Sequence, residues 1–219
     1  MAKRKSADLG ALIWFDGTNI NEALFCDEFL SSRKIIFANG AFFTQDGRVT
    51  DDLPHWGELY EELKCCAVNN IPRKITNILE VMKLAAHVED FAPEVDRIHL
   101  ANGTLKLDGS FTECRPNIVR SRLPVAYRPD ALAPVRWLSF LDGLLYPEDI
   151  PTLREFIGYC LIPSNKGQRM MVIKGNGGEG KSQIGAVLGA LLGSNMKDGS
   201  IGKISENRFA RAGLEHILL

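Results

Sequence analysis

The sequence predicts an α/β chain: a mixed α+β N-terminal domain, followed by the first part of a parallel sheet with helices against it. Three observations carry this prediction. Short apolar runs punctuated by Asn-Gly and Asp-Gly recur twice in the first half. Apolar stripes at helical spacing lie between and after them. Towards the C-terminal end, an apolar run, a glycine-rich loop and a small-residue helix follow one another in that order.

Taken in order, residues 21–30 place Leu24, Phe25, Glu28 and Phe29 at helical spacing, which predicts a short amphipathic helix. Residues 34–38 then run into Asn39-Gly40, 41–44 follow, and Asp46-Gly47 leads into 48–50, the pattern of a small meander. A related pattern returns at 97–109, again with Ala-Asn-Gly and then Asp-Gly. Two copies do not make a repeat architecture, because both dipeptides answer the same steric demand for positive φ. Between the copies, 55–68 and 73–87 are predicted helices, the second with Ile75, Ile78, Leu79, Met82 and Ala86 on one face and Pro72 at its start.

Residues 115–136 form the most basic window, with Arg115, Arg120, Arg122, Arg128 and Arg136 against Asp130. Were 117–127 one strand, Arg120 and Arg122 would share a face. That face reads as solvated, with a phosphate-contacting strip as its rival. Pro116, Pro124, Pro129 and Pro134 mark a crossing between domains. Trp137, Phe140, Leu141 and Leu144 stripe a helix over 136–145. Leu153, Phe156, Ile157 and Cys160 stripe another that ends before Pro163. Residues 170–174 predict a buried parallel strand, 183–192 a buried helix closed by Gly193, 206–214 a short helix and 216–219 the start of a further strand. The organisation that follows is a tail over 1–20, an α+β domain over 21–135, a helical connector over 136–163 and a partial nucleotide-binding domain over 164–219.

The loop between that strand and helix is Gly175-Asn176-Gly177-Gly178-Glu179-Gly180-Lys181-Ser182, which satisfies G-x-x-x-x-G-K-[ST] at every required position. Glycines at 175, 177, 178 and 180 let successive backbone N–H groups converge on a β-phosphate. Lys181 would place an ammonium on the β- and γ-phosphates, and Ser182 would offer its hydroxyl to Mg²⁺. The helix that starts there adds roughly half a positive charge. This is electrostatic grip on a nucleoside triphosphate. Hydrolysis needs more.

Composition narrows the rest. A chain of 219 residues with 45% apolar content has room for one large or two small cores, and its net charge of -1 leaves nucleic-acid contact to a local patch. Cys26, Cys65, Cys66, Cys114 and Cys160 contain no C-x-x-C pair, which predicts free thiols in a reducing compartment and no zinc site. His55, His87 and His99 lack neighbours at metal-ligand spacing. Neither a signal peptide nor a membrane span is predicted, which points to the cytoplasm without membrane contact. Lys3-Arg4-Lys5 reads as a solvated terminal cluster.

Residues 144–163, the loop after them and Glu206-Asn207-Arg208-Phe209-Ala210 resemble the primase-helicases of phages and plasmids, whose motor is a superfamily III helicase of the AAA+ class. Residues 24–30, both Asn-Gly hairpins and Leu123-Pro124-Val125-Ala126-Tyr127 are similar to the domain that precedes the motor in poxvirus-like members. The likeness spans about nine-tenths of the chain. It implies a homo-hexameric ring that hydrolyses ATP with Mg²⁺ and moves on single-stranded DNA in replication. Lys181 matches the catalytic phosphate lysine and Ser182 the Mg²⁺-side hydroxyl. The DNA-contacting residues, Walker B acids, sensor and arginine finger have no match before Leu219, so the expectation is the N-terminal and Walker A portion of such a helicase, nearly inactive as an ATPase alone. The alternative is a non-catalytic module that binds DNA or a replication protein and keeps a relic loop.

Overall fold

The computed structural model describes residues 12–49, 52–66, 69–116, 118–197 and 199, with side chains left aside over 52–56. Among the described residues the chain is mixed α and β, with two three-stranded antiparallel sheets and six α-helices. It divides into two compact units. One is Met1–Phe91 with Pro116–Arg120, and the other is Ala92–Arg115 with Ser121–Leu219.

In the first unit, helix α1 (Glu22–Ser32) starts where Asn21 leaves the helical conformation and its side chain accepts a 3.2 Å hydrogen bond from the Leu24 N–H, satisfying one of the free donors of the first turn. Strands β1 (Ile36–Ala38), β2 (Ala41–Thr44) and β3 (Gly47–Arg48) form the expected meander. Ala38 pairs with Ala41, so Asn39-Gly40 is a two-residue turn with φ of 50° and 75°. Both central residues in the left-handed region is what the type I′ hairpin turn demands. Helices α2 (Asp52–Leu63) and α3 (Ile71–Ala85) complete the unit.

One face of α3 is buried through Ile78 and Met82, and these meet Phe25, Cys26 and Phe29 of α1, Leu59 and Leu63 of α2, and Phe42 of the sheet. The 3.6-residue stripe in the sequence therefore is the core face. Beyond α3 the chain lies parallel to β1. The Phe37 N–H donates to the Ala86 carbonyl at 2.7 Å, and the Val88 N–H donates to the Phe37 carbonyl at 3.0 Å.

In the second unit, β4 (Arg97–Leu100), β5 (Gly103–Lys106) and β6 (Phe111–Thr112) repeat the meander with a different turn. Leu100 pairs with Gly103, which puts Ala101-Asn102 at the corner and Gly103 inside the strand. The expectation that both Asn-Gly dipeptides serve positive φ therefore holds for the first copy only. Gly103 is needed because a Cβ there would run into the Thr112 carbonyl oxygen and stand 2.7 Å from the Phe111 ring. Helices α4 (Val135–Leu144), α5 (Asp149–Cys160) and α6 (Lys181–Leu192) follow, with a 3-10 turn at Gly193–Asn195. Leu141, Leu153 and Ile184 form the cluster that joins the three helices. Leu192 joins Ile98, Leu100 and Leu123 in a second cluster over the sheet.

Two expectations are corrected. Residues 117–127 are not one strand: the chain leaves one unit for the other between Arg120 and Ser121. On the first side, the Val119 N–H donates to Thr44 and the Arg48 N–H donates to Arg120. On the second, Leu123 donates to His99 and Ala101 donates to Val125. Each sheet thus gains a short added edge in its own unit. The second correction concerns 170–174, which carries no strand pairing, and no parallel sheet forms among the described residues. A parallel strand is stable only between neighbours. The run expected to continue that sheet, 216–219, lies outside the described residues, as do the helix expected over 206–214 and the cluster Lys3-Arg4-Lys5.

Candidate nucleotide-binding loop

The loop 175–180 stands at the start of α6, and its shape follows from its glycines. Gly177, Gly178 and Gly180 have φ of 94°, 72° and 93°, values at which a side chain costs about 1–2 kcal/mol. Gly180 is the residue before the helix, and the Gln183 N–H donates to its carbonyl at 2.9 Å. Its position is fixed from outside as well, since a Cβ on Gly180 would stand 3.1 Å from the Phe140 ring of α4. The stripe Trp137/Phe140 thus has a use beyond filling a core: one of its rings abuts the loop.

Behind the loop, α6 is anchored by Ile184, 1% exposed, against Leu141 and Leu153. Lys181 and Ser182 occupy the first turn. The Lys181 side chain is about three-quarters covered, with 24% of it exposed, and Ser182 is exposed. The free N–H groups of that turn and the positive end of the helix dipole lie beside both residues. Backbone donors, one ammonium and one hydroxyl are a donor set suited to a phosphate chain with a hard cation between its oxygens. Ser182 would contribute one ligand to Mg²⁺, with phosphate oxygens and water supplying others. Among the described residues, no group of three or more His, Cys, Asp or Glu side chains is placed to hold a metal ion.

The approach to the loop is open. Met170 is 83% exposed and Val172 76%, and only Met171 of this run packs against the α4–α5–α6 cluster. A groove of about 680 Å³ separates 169–174 from Leu153, Phe156 and Tyr159 of α5.

Sequence reasoning missed the partner of the loop lysine. Lys181 Nζ donates to Glu179 Oε2 at 2.8 Å. That bond, together with a backbone N–H from Asn176, holds the Glu179 carboxyl below the usual carboxylate range. The G-x-x-x-x-G-K-[ST] pattern leaves position 179 open, so no motif signal existed for it. The charge reversal two residues before a lysine was the available clue.

The basic window does not assemble into a strip. Arg120 belongs to the first unit, where its Nη1 donates to the Phe91 carbonyl at 2.8 Å and its guanidinium lies 5.7 Å from the Phe43 ring centroid. Burial and the nearby Arg48 lower its pKa. Arg122 belongs to the second unit, is 7% exposed, and donates to the Leu100 carbonyl at 2.8 Å. Neither the solvated face nor the phosphate strip describes Arg122, which is a structural arginine.

Of the histidines, His87 is exposed and His99 is hydrogen-bonded in the core, while the His55 side chain lies outside the described residues. All five cysteines are free thiols. Among the described residues, no helix is long and apolar enough to cross a membrane. No protein-family model matches the chain, and no curated protein matches it.

Proposed function

We propose that residues 175–182 grip the phosphates of ATP as a Walker A loop, and that the chain is the N-terminal and Walker A portion of an ATP-dependent replicative DNA helicase of the primase-helicase type, from a phage or mobile element. The observation that carries the nucleotide reading is the coincidence of sequence and shape. All fixed positions of the pattern are met, three loop glycines take positive φ, and Lys181 opens a helix whose hydrophobic side is anchored away from the loop. The helicase assignment rests on the sequence resemblance, and a hexameric ring on single-stranded DNA belongs to that same proposal.

In this reading, Lys181 neutralises charge on the β- and γ-phosphates, the loop N–H groups orient the chain, and Ser182 holds the cation side. Bound Mg²⁺ would offset phosphate charge. An arginine finger contributes roughly 10³ to 10⁵ in rate to such motors, so slow turnover is expected without one. The test is titration with a fluorescent ATP analogue in Mg²⁺, comparing the chain with Lys181→Ala. Loss of a charge-assisted contact should weaken binding about 10-fold or more. Binding that is absent from the parent chain, or unchanged by Lys181→Ala, refutes the reading.

A further inference from the structure

Glu179 does not point out of the loop. Its Oε2 lies 2.8 Å from Lys181 Nζ. A Cβ on Gly175 would collide with that Oε2 and stand 2.5 Å from Lys181 Nζ. The carboxylate is therefore folded back over the first glycine of the loop. The loop lysine is a donor that a nucleotide phosphate takes in such a site.

We propose that Glu179 is an internal substitute for phosphate: its carboxylate occupies the loop's anion position when no nucleotide is bound, and has to leave before a triphosphate can bind. The inference rests on the nucleotide-binding reading and adds a residue that sets affinity. Two physical effects act together. The ion pair Glu179–Lys181 is broken on binding, and the displaced carboxylate stays on a short loop beside a polyanion of its own sign. The pair is partly exposed, with 42% of the Glu179 side chain accessible, so screening keeps the first effect alone modest. It also places the Lys181 ammonium near Gly175.

The experiment uses the full 219-residue chain and the fluorescent ATP analogue with Mg²⁺, comparing the parent with Glu179→Gln, Glu179→Ala and Lys181→Ala, each checked for an unchanged far-UV circular dichroism spectrum. Removing the competing charge should tighten binding about 3- to 10-fold in both Glu179 variants. Glu179→Gln keeps the size of the side chain, so a gain in both variants assigns the effect to charge. If Lys181→Ala abolishes binding while both Glu179 variants bind as weakly as the parent or more weakly, the role of Glu179 is overturned and the loop reading stands. If binding is insensitive to Lys181→Ala, the loop reading falls and the role of Glu179 falls with it.

Discussion

Gly40 and Gly103 follow the same Ala-Asn dipeptide yet do different work, and substitution separates them. At Gly40 the backbone has φ of 75° and a Cβ would meet nothing within 4 Å. Alanine there carries only the left-handed penalty of about 1–2 kcal/mol, and asparagine, which tolerates that region, about 0.5 kcal/mol or less. At Gly103 the conflict is spatial. The Phe111 ring, 2.7 Å from the added Cβ, can turn aside, but the Thr112 carbonyl is backbone of β6, a strand of two residues held by the pairs Thr104–Thr112 and Leu105–Phe111. Moving it breaks those pairs and pulls Phe111 from Tyr127, whose ring centroid lies 5.0 Å away. Overpacking with partial loss of an aromatic contact costs about 2–4 kcal/mol, and asparagine, being larger, costs more than alanine. Urea unfolding followed by hydrogen exchange on peptides covering 36–48 and 97–112 reads each sheet by itself. The expected order is Gly103→Asn worse than Gly103→Ala, but Gly40→Asn milder than Gly40→Ala. If asparagine rescues at both positions, Gly103 serves a positive φ and the argument from close approach is wrong.

Three further outcomes follow from burial and charge. Cys65 and Cys114 are exposed, whereas burial pushes the Cys26 thiol up to about 11 and the Cys66 thiol up to about 12. A thiol reagent at pH 8 should therefore modify Cys65 and Cys114 first, by peptide mapping, and early labelling of Cys26 would contradict the packing of α1 on α3. His99 is held between Glu94 Oε2 at 2.7 Å and Thr104 Oγ1 at 3.1 Å, and burial lowers its pKa below 6.5 despite the opposing pull of Glu94. The unfolded chain then binds the proton more readily, so stability present above about pH 6.5 is lost as pH falls through the folded value. His99→Gln should flatten the change in unfolding free energy between pH 7 and 5, and an unchanged slope refutes the assignment. Arg122→Ala should destabilise the second unit by about 1.5–3 kcal/mol, because the Leu100 carbonyl loses a charged donor in the core. A loss under about 0.5 kcal/mol in urea unfolding would show Arg122 to be dispensable.

What could be read in advance was whatever is decided locally. Ile78 and Met82, Leu141, and Leu153 are the buried centres of the three predicted stripes, because a helix has only one face to give to a core. Asn39-Gly40 is a hairpin turn because two adjacent positive φ values admit few other residues. The positive φ of Gly177, Gly178 and Gly180 reflects the same local demand for residues without a Cβ.

Choices between non-local partners were not legible. Arg120 and Arg122 are two residues apart, and alternation places them on one face only if a single sheet accepts the whole segment. Here the chain leaves one unit and joins the other between them. The Asn102 side chain carries a similar lesson. It pairs with the Tyr127 backbone through two hydrogen bonds, Nδ2 to the carbonyl at 2.9 Å and the amide N–H to Oδ1 at 2.8 Å, acting as an extra peptide group 25 residues away. In the sequence, that asparagine reads only as a turn residue. Glu179 is the functional counterpart. Its ion pair with Lys181 joins two residues of one loop, and the G-x-x-x-x-G-K-[ST] pattern, which leaves position 179 open, carried no sign of it.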